Sequence, residues 1–265
     1  MGNKRMEKEY KLVKQIDFSP AGTTQKITNR IAARFCKDSE TYHLLRRKIT
    51  EPIVCGENEL LVVGMPVYTG RIPQICIPNL RNLRGRNTPA IVVVVYGNRE
   101  YEDALLELYD LLSEQGFIVV GAGAFIAQHS IFPNVAKGRP DQKDQEKIDL
   151  FSKKCMEKLQ KNSINQFAPL QINGSYPYRE WMNVPLKPMG SKKCNFCGSC
   201  VHVCPTRAIN RDNPRMTDHK KCISCTARVQ VCPTGARKFR GPIYRIAQIA
   251  FWKKYSQRKE PEWFL

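Results

Sequence analysis

Apolar positions along the first part of the chain recur in two different rhythms, and each rhythm predicts an element. Leu12 to Phe18 reads as a first strand, although Lys14 and Gln15 weaken its apolar run. It ends in Ser19-Pro20-Ala21-Gly22-Thr23-Thr24, after which Ile27, Ile31 and Phe35 recur at four-residue spacing, the pattern of a helix with one buried face. Tyr42 to Ile49 predicts a second strand. Glu59 to Tyr68 predicts a third, and its unbroken run Leu60-Leu61-Val62-Val63 suits a strand covered on both faces. Ile72 to Leu83 predicts a short helix interrupted near Pro78. Ala90 to Tyr96 predicts a fourth strand, and Tyr101 to Gln115 a helix with Ala104, Leu105, Leu108, Leu111 and Leu112 inward and Gly116 as its C-cap. Phe117 to Phe125 is the fifth strand, and Asp141 to Gln160 a charged amphipathic helix that closes the unit.

Strands alternating with helices predict an α/β fold, a doubly wound sheet of five parallel strands. In such sheets ligands bind beyond the carboxyl ends of the strands, where loops 19–24, 66–72 and 96–101 converge. The first of these loops carries chemistry of its own. A small, hydroxyl-rich loop opening a helix presents free N–H groups and the positive end of the helix dipole to an anion. An ordinary capped helix with nothing bound has the same sequence. His129, after the fifth strand, is a candidate to face whatever binds there, a surface or capping histidine being the plain alternative.

The cysteines change the picture. Of eleven, seven fall between 194 and 232. Cys194, Cys197, Cys200 and Cys204 are spaced two, two and three residues apart with Pro205 directly after, which is the bacterial ferredoxin pattern for a [4Fe-4S] cluster. Structural zinc, whose ligands come as two separate pairs, fits this register poorly. A second run, Cys222, Cys225 and Cys232 followed by Pro233, carries Arg228 at its third ligand position. A guanidinium stays protonated and offers no lone pair to iron. Because the fourth cysteine of each run serves the other cluster, the first cluster takes Cys194, Cys197, Cys200 and Cys232 and is complete. The second has only Cys204, Cys222 and Cys225, and three outcomes are open for it: a cubane with an outside ligand, a three-iron cluster, or none. Cys36, Cys55, Cys76 and Cys155 form no pattern and read as buried free thiols. Cysteines used in this way indicate a reducing cytoplasm.

Charge adds a partner class. The net charge is +19, and residues 187–259 hold 17 Lys and Arg against only Asp212 and Asp218, a net of +15. Such a field steers acidic partners toward the cysteine runs. No RNA-binding or recognition-helix motif accompanies it, so nucleic acid is not expected. No apolar run is long enough to span a membrane, and the charged segment from Met1 to Tyr10 lacks the apolar core of a secretory signal, while Met6 stands where myristoylation at Gly2 would call for Ser or Thr.

Phe18 to Thr24 resembles the phosphate loop of flavodoxins, and Pro66 to Pro73 and Tyr96-Gly97-Asn98-Arg99 resemble the next two flavin loops of flavodoxin-like domains. With the cysteine runs, residues 10–240 resemble the flavodoxin–ferredoxin fusion proteins of anaerobic bacteria and archaea. That resemblance implies a flavodoxin-like FMN domain at 1–161, a linker at 162–190, a small α+β ferredoxin domain at 191–240 and a basic tail at 241–265. It implies FMN bound noncovalently, with Ser19, Ala21, Gly22, Thr23 and Thr24 around the phosphate. Pro66, Tyr68, Thr69, Gly70, Tyr96, Gly97, Asn98, Arg99 and Tyr101 would lie at the ring, with Tyr68 or Tyr96 against the isoalloxazine. Ala21 departs from the pattern, standing where flavodoxins commonly have Thr. The linker, with Tyr176, Tyr178 and Trp181 among its prolines, is expected to pack along the flavin domain. The tail reads as a basic amphipathic helix docked on its own domain, a membrane-surface helix being the alternative. The function this implies is electron transfer between FMN, cluster and an acidic redox partner protein; a flavin-dependent reductase of a small molecule and an empty flavodoxin-like scaffold are the rivals.

Overall fold

The computed structural model describes residues 10–36 and 39–265; the charged N-terminal segment therefore lies, up to residue 9, outside the described residues. β1 (Leu12–Asp17) leads into α1 (Thr23–Ala32), and β2 (Ser39–His43) follows. β3 (Ile53–Cys55) precedes β4 (Glu59–Pro66). A 3-10 turn at Gln74–Cys76 runs into α2 (Ile77–Leu80), and β5 (Leu83–Gly85) leads to β6 (Thr88–Tyr96). α3 (Ala104–Glu114), β7 (Phe117–Ile126) and α4 (Gln142–Lys161) complete the unit.

The principal sheet has the order β2-β1-β4-β6-β7, all parallel. Counting only those five strands, this is the 2-1-3-4-5 order of the flavodoxin-like doubly wound fold. The unbroken apolar runs follow from its two covered faces. Leu61 and Val63 face the layer containing α3, while Leu60 and Val62 face α1 and α4. Every residue of β6 is buried.

The structure corrects several sequence expectations. The second strand is Ser39–His43, not Tyr42–Ile49; Leu44 and Ile49 are buried from turns instead. Pro78 stands in the first turn of α2, where its missing N–H costs nothing, so it starts that helix and does not interrupt it. Phe35 lies beyond the end of α1 but is still buried. The sheet also has a sixth strand that no local pattern announces. β8 (Glu262–Phe264), from the far end of the chain, adds antiparallel to β7 and covers its free edge.

The linker has no regular element from 167 to 198 yet is fixed to the flavodoxin-like unit. Arg71 forms a two-pronged ion pair with Glu107 at 2.7 and 2.8 Å, and its guanidinium lies 3.9 Å from the Trp181 ring centre and 4.8 Å from that of Tyr178. Asp103 accepts the N–H groups of Ser175 and Arg179, and Trp181 donates to the Ile72 carbonyl. This is a packed strap rather than a spacer.

In the cysteine-rich unit, α5 (Ser199–His202) and α6 (Ala227–Gln230) are single turns, and isolated bridges pair Ile209 with Thr217 and Met189 with Lys238. α7 (Pro242–Tyr255) then lays Tyr244, Phe251 and Tyr255 on Ile131, Phe132 and Val135 of the loop after β7. Its other side, with Ile243, Ile246, Ile249 and Trp252, is exposed. Among the described residues no helix is long and apolar enough to cross a membrane.

Candidate functional site

The loops after β1, β4, β6 and β7 meet above the carboxyl edge of the sheet and enclose a cavity of about 320 Å³, within the roughly 300–1,000 Å³ range of small-molecule sites. One wall is the predicted one. Ala21, Thr23 and Thr24 line it from the first loop, Pro66, Tyr68 and Thr69 from the second, and Tyr96, Gly97 and Arg99 from the third. Gly22 makes the turn into α1 in the left-handed region, at φ 81°. Ser19 stands behind the loop: its hydroxyl accepts the N–H of Gln25 at 2.9 Å and caps α1. The N–H groups of Thr23 and Thr24 belong to the first turn, which has no intrahelical acceptors, so this end of the cavity suits an anion.

Three predicted ring-side residues do other work. Asn98 donates to the carbonyls of Tyr255 and Gln257 at 2.8 and 2.7 Å, and the Tyr101 hydroxyl donates to Glu262 at 2.6 Å. Both hold the C-terminal tail in place and neither lines the cavity. Gly70 packs on Glu102 and Arg179 behind the lining. Both tyrosines line the cavity: Tyr96 is buried there and packs against Tyr101, and Tyr68 stands edge-on to Phe18. Burial, and next the neighbouring Cys225 and Cys76, push the Tyr68 hydroxyl well above its usual pKa and keep it neutral.

His129 does line the cavity. Its Nδ1 accepts the N–H groups of Ile131 and Phe132, at 3.2 and 3.0 Å, and its ring packs on Phe132 and Phe251. Gly97 lies against this ring; a Cβ there would come within 2.5 Å of it, which requires glycine. Burial, and then Arg99, pull the His129 pKa from 6.5 to about 4. The unfolded chain thus binds a proton that the folded one refuses, so stability is full above pH 6.5 and falls as pH drops toward 4. We expect about 2–3 kcal/mol of loss over that window, read from denaturant midpoints at neutral and mildly acidic pH. His129→Gln should flatten the difference, and an unaltered pH slope in that variant would refute the assignment.

The opposite wall was invisible to local sequence reading. It comes from the linker, through Arg179, Met182 and Val184, from Phe251 of α7, and from Ile223, Ser224 and Cys225 of the cysteine-rich unit. The aromatic residues of the linker were the only signal that this segment would close something. Arg99 and Arg179 both pair with Glu102 at the rim.

Cys194, Cys197, Cys200 and Cys232 line one small separate cavity, together with Pro214, Thr234 and Arg237. The complete ligand set predicted by the crossing rule is thus brought to one place, and these residues would hold a [4Fe-4S] cluster. The Ser199 hydroxyl, 3.4 Å from Cys197 Sγ, helps hold that thiol below its usual pKa. Among the described residues no three His, Cys, Asp or Glu side chains converge on a single metal ion.

The second set lacks its fourth thiolate, and a guanidinium stands in that place. Cys222 accepts a hydrogen bond from Arg228 Nη2 at 2.9 Å, and Arg228 is 4% exposed. The chain's internal repeat exposes a second departure. Thr226 occupies the place of Gly198, at φ 68° against 75°, and its hydroxyl is buried without a partner. The incomplete set also supplies Cys225, the cysteine that faces the large cavity, while the complete set lies apart from it.

Comparison with known proteins agrees with the cysteine reading. Residues 191–210 match the 4Fe-4S binding domain family. No curated protein matches the chain. Among solved structures it is similar to the rubredoxin oxygen:oxidoreductase of the anaerobe Desulfovibrio gigas, at 15% identity and TM-score 0.39 over 58% of this chain and 39% of that one. A flavodoxin of Streptococcus pneumoniae TIGR4 gives 14% and 0.41 over 56% and 99%. A Fusobacterium nucleatum flavodoxin mutant bound to flavin mononucleotide gives 19% and 0.39 over 55% and 97%. The strand order 2-1-3-4-5 defines the fold of the sheet. The chain joins a flavodoxin-like sheet to a 4Fe-4S binding domain in one polypeptide.

Proposed function

We propose that the chain is an electron-transfer iron–sulfur flavoprotein. FMN would occupy the large cavity, its phosphate at Ala21, Thr23 and Thr24 and its ring beside Tyr68, and when bound it exchanges one or two electrons. Cys194, Cys197, Cys200 and Cys232 would hold the cluster that passes single electrons to or from a soluble protein. The observation that carries this reading is the cavity itself: the sheet-edge loops form one wall and Ile223, Ser224 and Cys225 of the cysteine-rich unit form the other. The basic field of residues 187–259 supports an acidic redox partner.

Anaerobic purification followed by desalting, with flavin and iron quantified on the same sample, tests the reading. A retained yellow flavin together with cluster iron is the expected result. A colourless protein that neither retains nor rebinds FMN would overturn it, leaving the empty scaffold. A reductase of a small anionic acceptor is the second reading, favoured by Arg99 and Arg179, which both line the cavity and share a single carboxylate, Glu102; steady-state turnover of such an acceptor without a protein partner would select it.

A further inference from the structure

Two arginines are buried in the cysteine-rich unit without any carboxylate. Arg228 is 4% exposed and Arg237 is 2% exposed. Both donate through Nη1 to one hydroxyl, Thr217 Oγ1, at 3.2 and 2.8 Å. Arg228 Nη2 goes on to Cys222 Sγ at 2.9 Å, and Arg237 Nη2 to the Met216 carbonyl at 3.5 Å. Among the described residues neither forms an ion pair with Asp or Glu. The two acids of this region, Asp212 and Asp218, are exposed, and Asp218 is engaged by Lys221 and the N–H groups of Lys220 and Lys221.

Burying two like charges on a shared neutral acceptor is strongly unfavourable unless an anion compensates them. Among the described residues, the cysteine sulfurs, negative once they ligate iron, are the only candidate anions beside the two guanidiniums. Arg237 lines the cavity of the complete ligand set, and its own N–H is bonded to Cys232. Arg228 takes the place of the missing ligand and lies on Cys222. The arginine that ends the second ligand set is therefore one half of a cationic pair between the two sites, not simply a lost cysteine.

We propose that Arg228 and Arg237 are the buried counter-charges of the iron–sulfur site, and that they raise the reduction potential of the cluster held by Cys194, Cys197, Cys200 and Cys232. The two guanidiniums would stand, already in place, beside the one negative charge that an electron from a donor adds to a cluster held by those cysteines, with no bond to the protein formed or broken. Being buried, they act with little screening by salt, unlike the exposed lysines around them. The inference rests on the reading of those four cysteines as cluster ligands.

The test is an anaerobic redox titration of the full chain with dithionite as electron donor, followed by EPR, on the parent, Arg237→Gln, Arg237→Lys and Arg228→Gln. Iron is counted on each sample first. The expected result is parental iron and, in Arg237→Gln, a midpoint more negative by at least a tenfold change in equilibrium constant, which is about 59 mV for one electron. Arg237→Lys should recover most of that shift, Arg228→Gln should move it the same way, and the differences should persist at high salt. A midpoint unmoved in Arg237→Gln with its iron retained would overturn the proposal, as would a lysine variant that behaves like glutamine. If one neutral variant loses its iron the other decides, and loss from both would make the arginines structural and the proposal wrong. A parent that binds no cluster at all would instead defeat the functional reading on which the inference stands.

Discussion

Arg228→Cys, reconstituted anaerobically with iron and sulfide, is expected to bind nearly twice the iron of the parent, about eight atoms per chain against about four. The substitution does two things at once. It supplies the fourth thiolate to Cys204, Cys222 and Cys225, and it withdraws the guanidinium that now lies on Cys222 Sγ. The pseudo-symmetric half shows that the backbone can support a complete set. α5 begins after Gly198 as α6 begins after Thr226, both in the left-handed region, and Thr206 and Thr234 stand beside Cys204 and Cys232 in the same way. Thr226 is the remaining obstacle. A β-branched residue at positive φ costs on the order of 1–2 kcal/mol, and its buried hydroxyl is unpaired. Thr226→Gly combined with Arg228→Cys should therefore hold the second cluster more durably than Arg228→Cys alone. An iron content that stays at the parental level in both variants would show that these four positions are not a ligand set.

The second large effect concerns the other cofactor. Ala21→Asp should weaken FMN binding by about 100-fold, near 2.7 kcal/mol, while leaving iron content unchanged. Ala21 lines the cavity beside Thr23 and Thr24, at the start of a helix whose first N–H groups have no internal acceptor. A carboxylate there competes for those donors and repels a phosphate; two unit charges about 4 Å apart near a protein surface interact by about 4 kcal/mol before solvent screening reduces it. Ala21→Asn separates size from charge and should bind nearly as well as the parent. Ala21→Thr, which adds a hydroxyl donor, should bind slightly tighter. Flavin fluorescence quenching on the apoprotein measures all three. Equal affinity of the Asp and Asn variants would place the phosphate elsewhere.

The sequence by itself determined the alternating strands and helices, because strands buried on two faces must be apolar without a break. It also determined the cysteine spacing, because a ligand motif is local by nature. The loop 19–24 and the cysteine run 194–204 were legible for the same reason: each signal lies within a few positions of chain, whereas Cys232 joins the first run from a distance. What only the tertiary structure decided depends on pairs distant in sequence. Asn98 and Tyr101 sit in a flavin-loop motif yet hold a tail some 160 residues away. β8 has no pattern of its own and exists because the edge of β7 needs a partner. Cys225, of the incomplete set, faces the cavity while the complete set lies apart, and Arg228 meets Arg237 on one hydroxyl. Periodicity reports which face of an element is buried, but not what it is buried against, and that second fact sets the charge and the neighbours on which the proposed electron transfer depends.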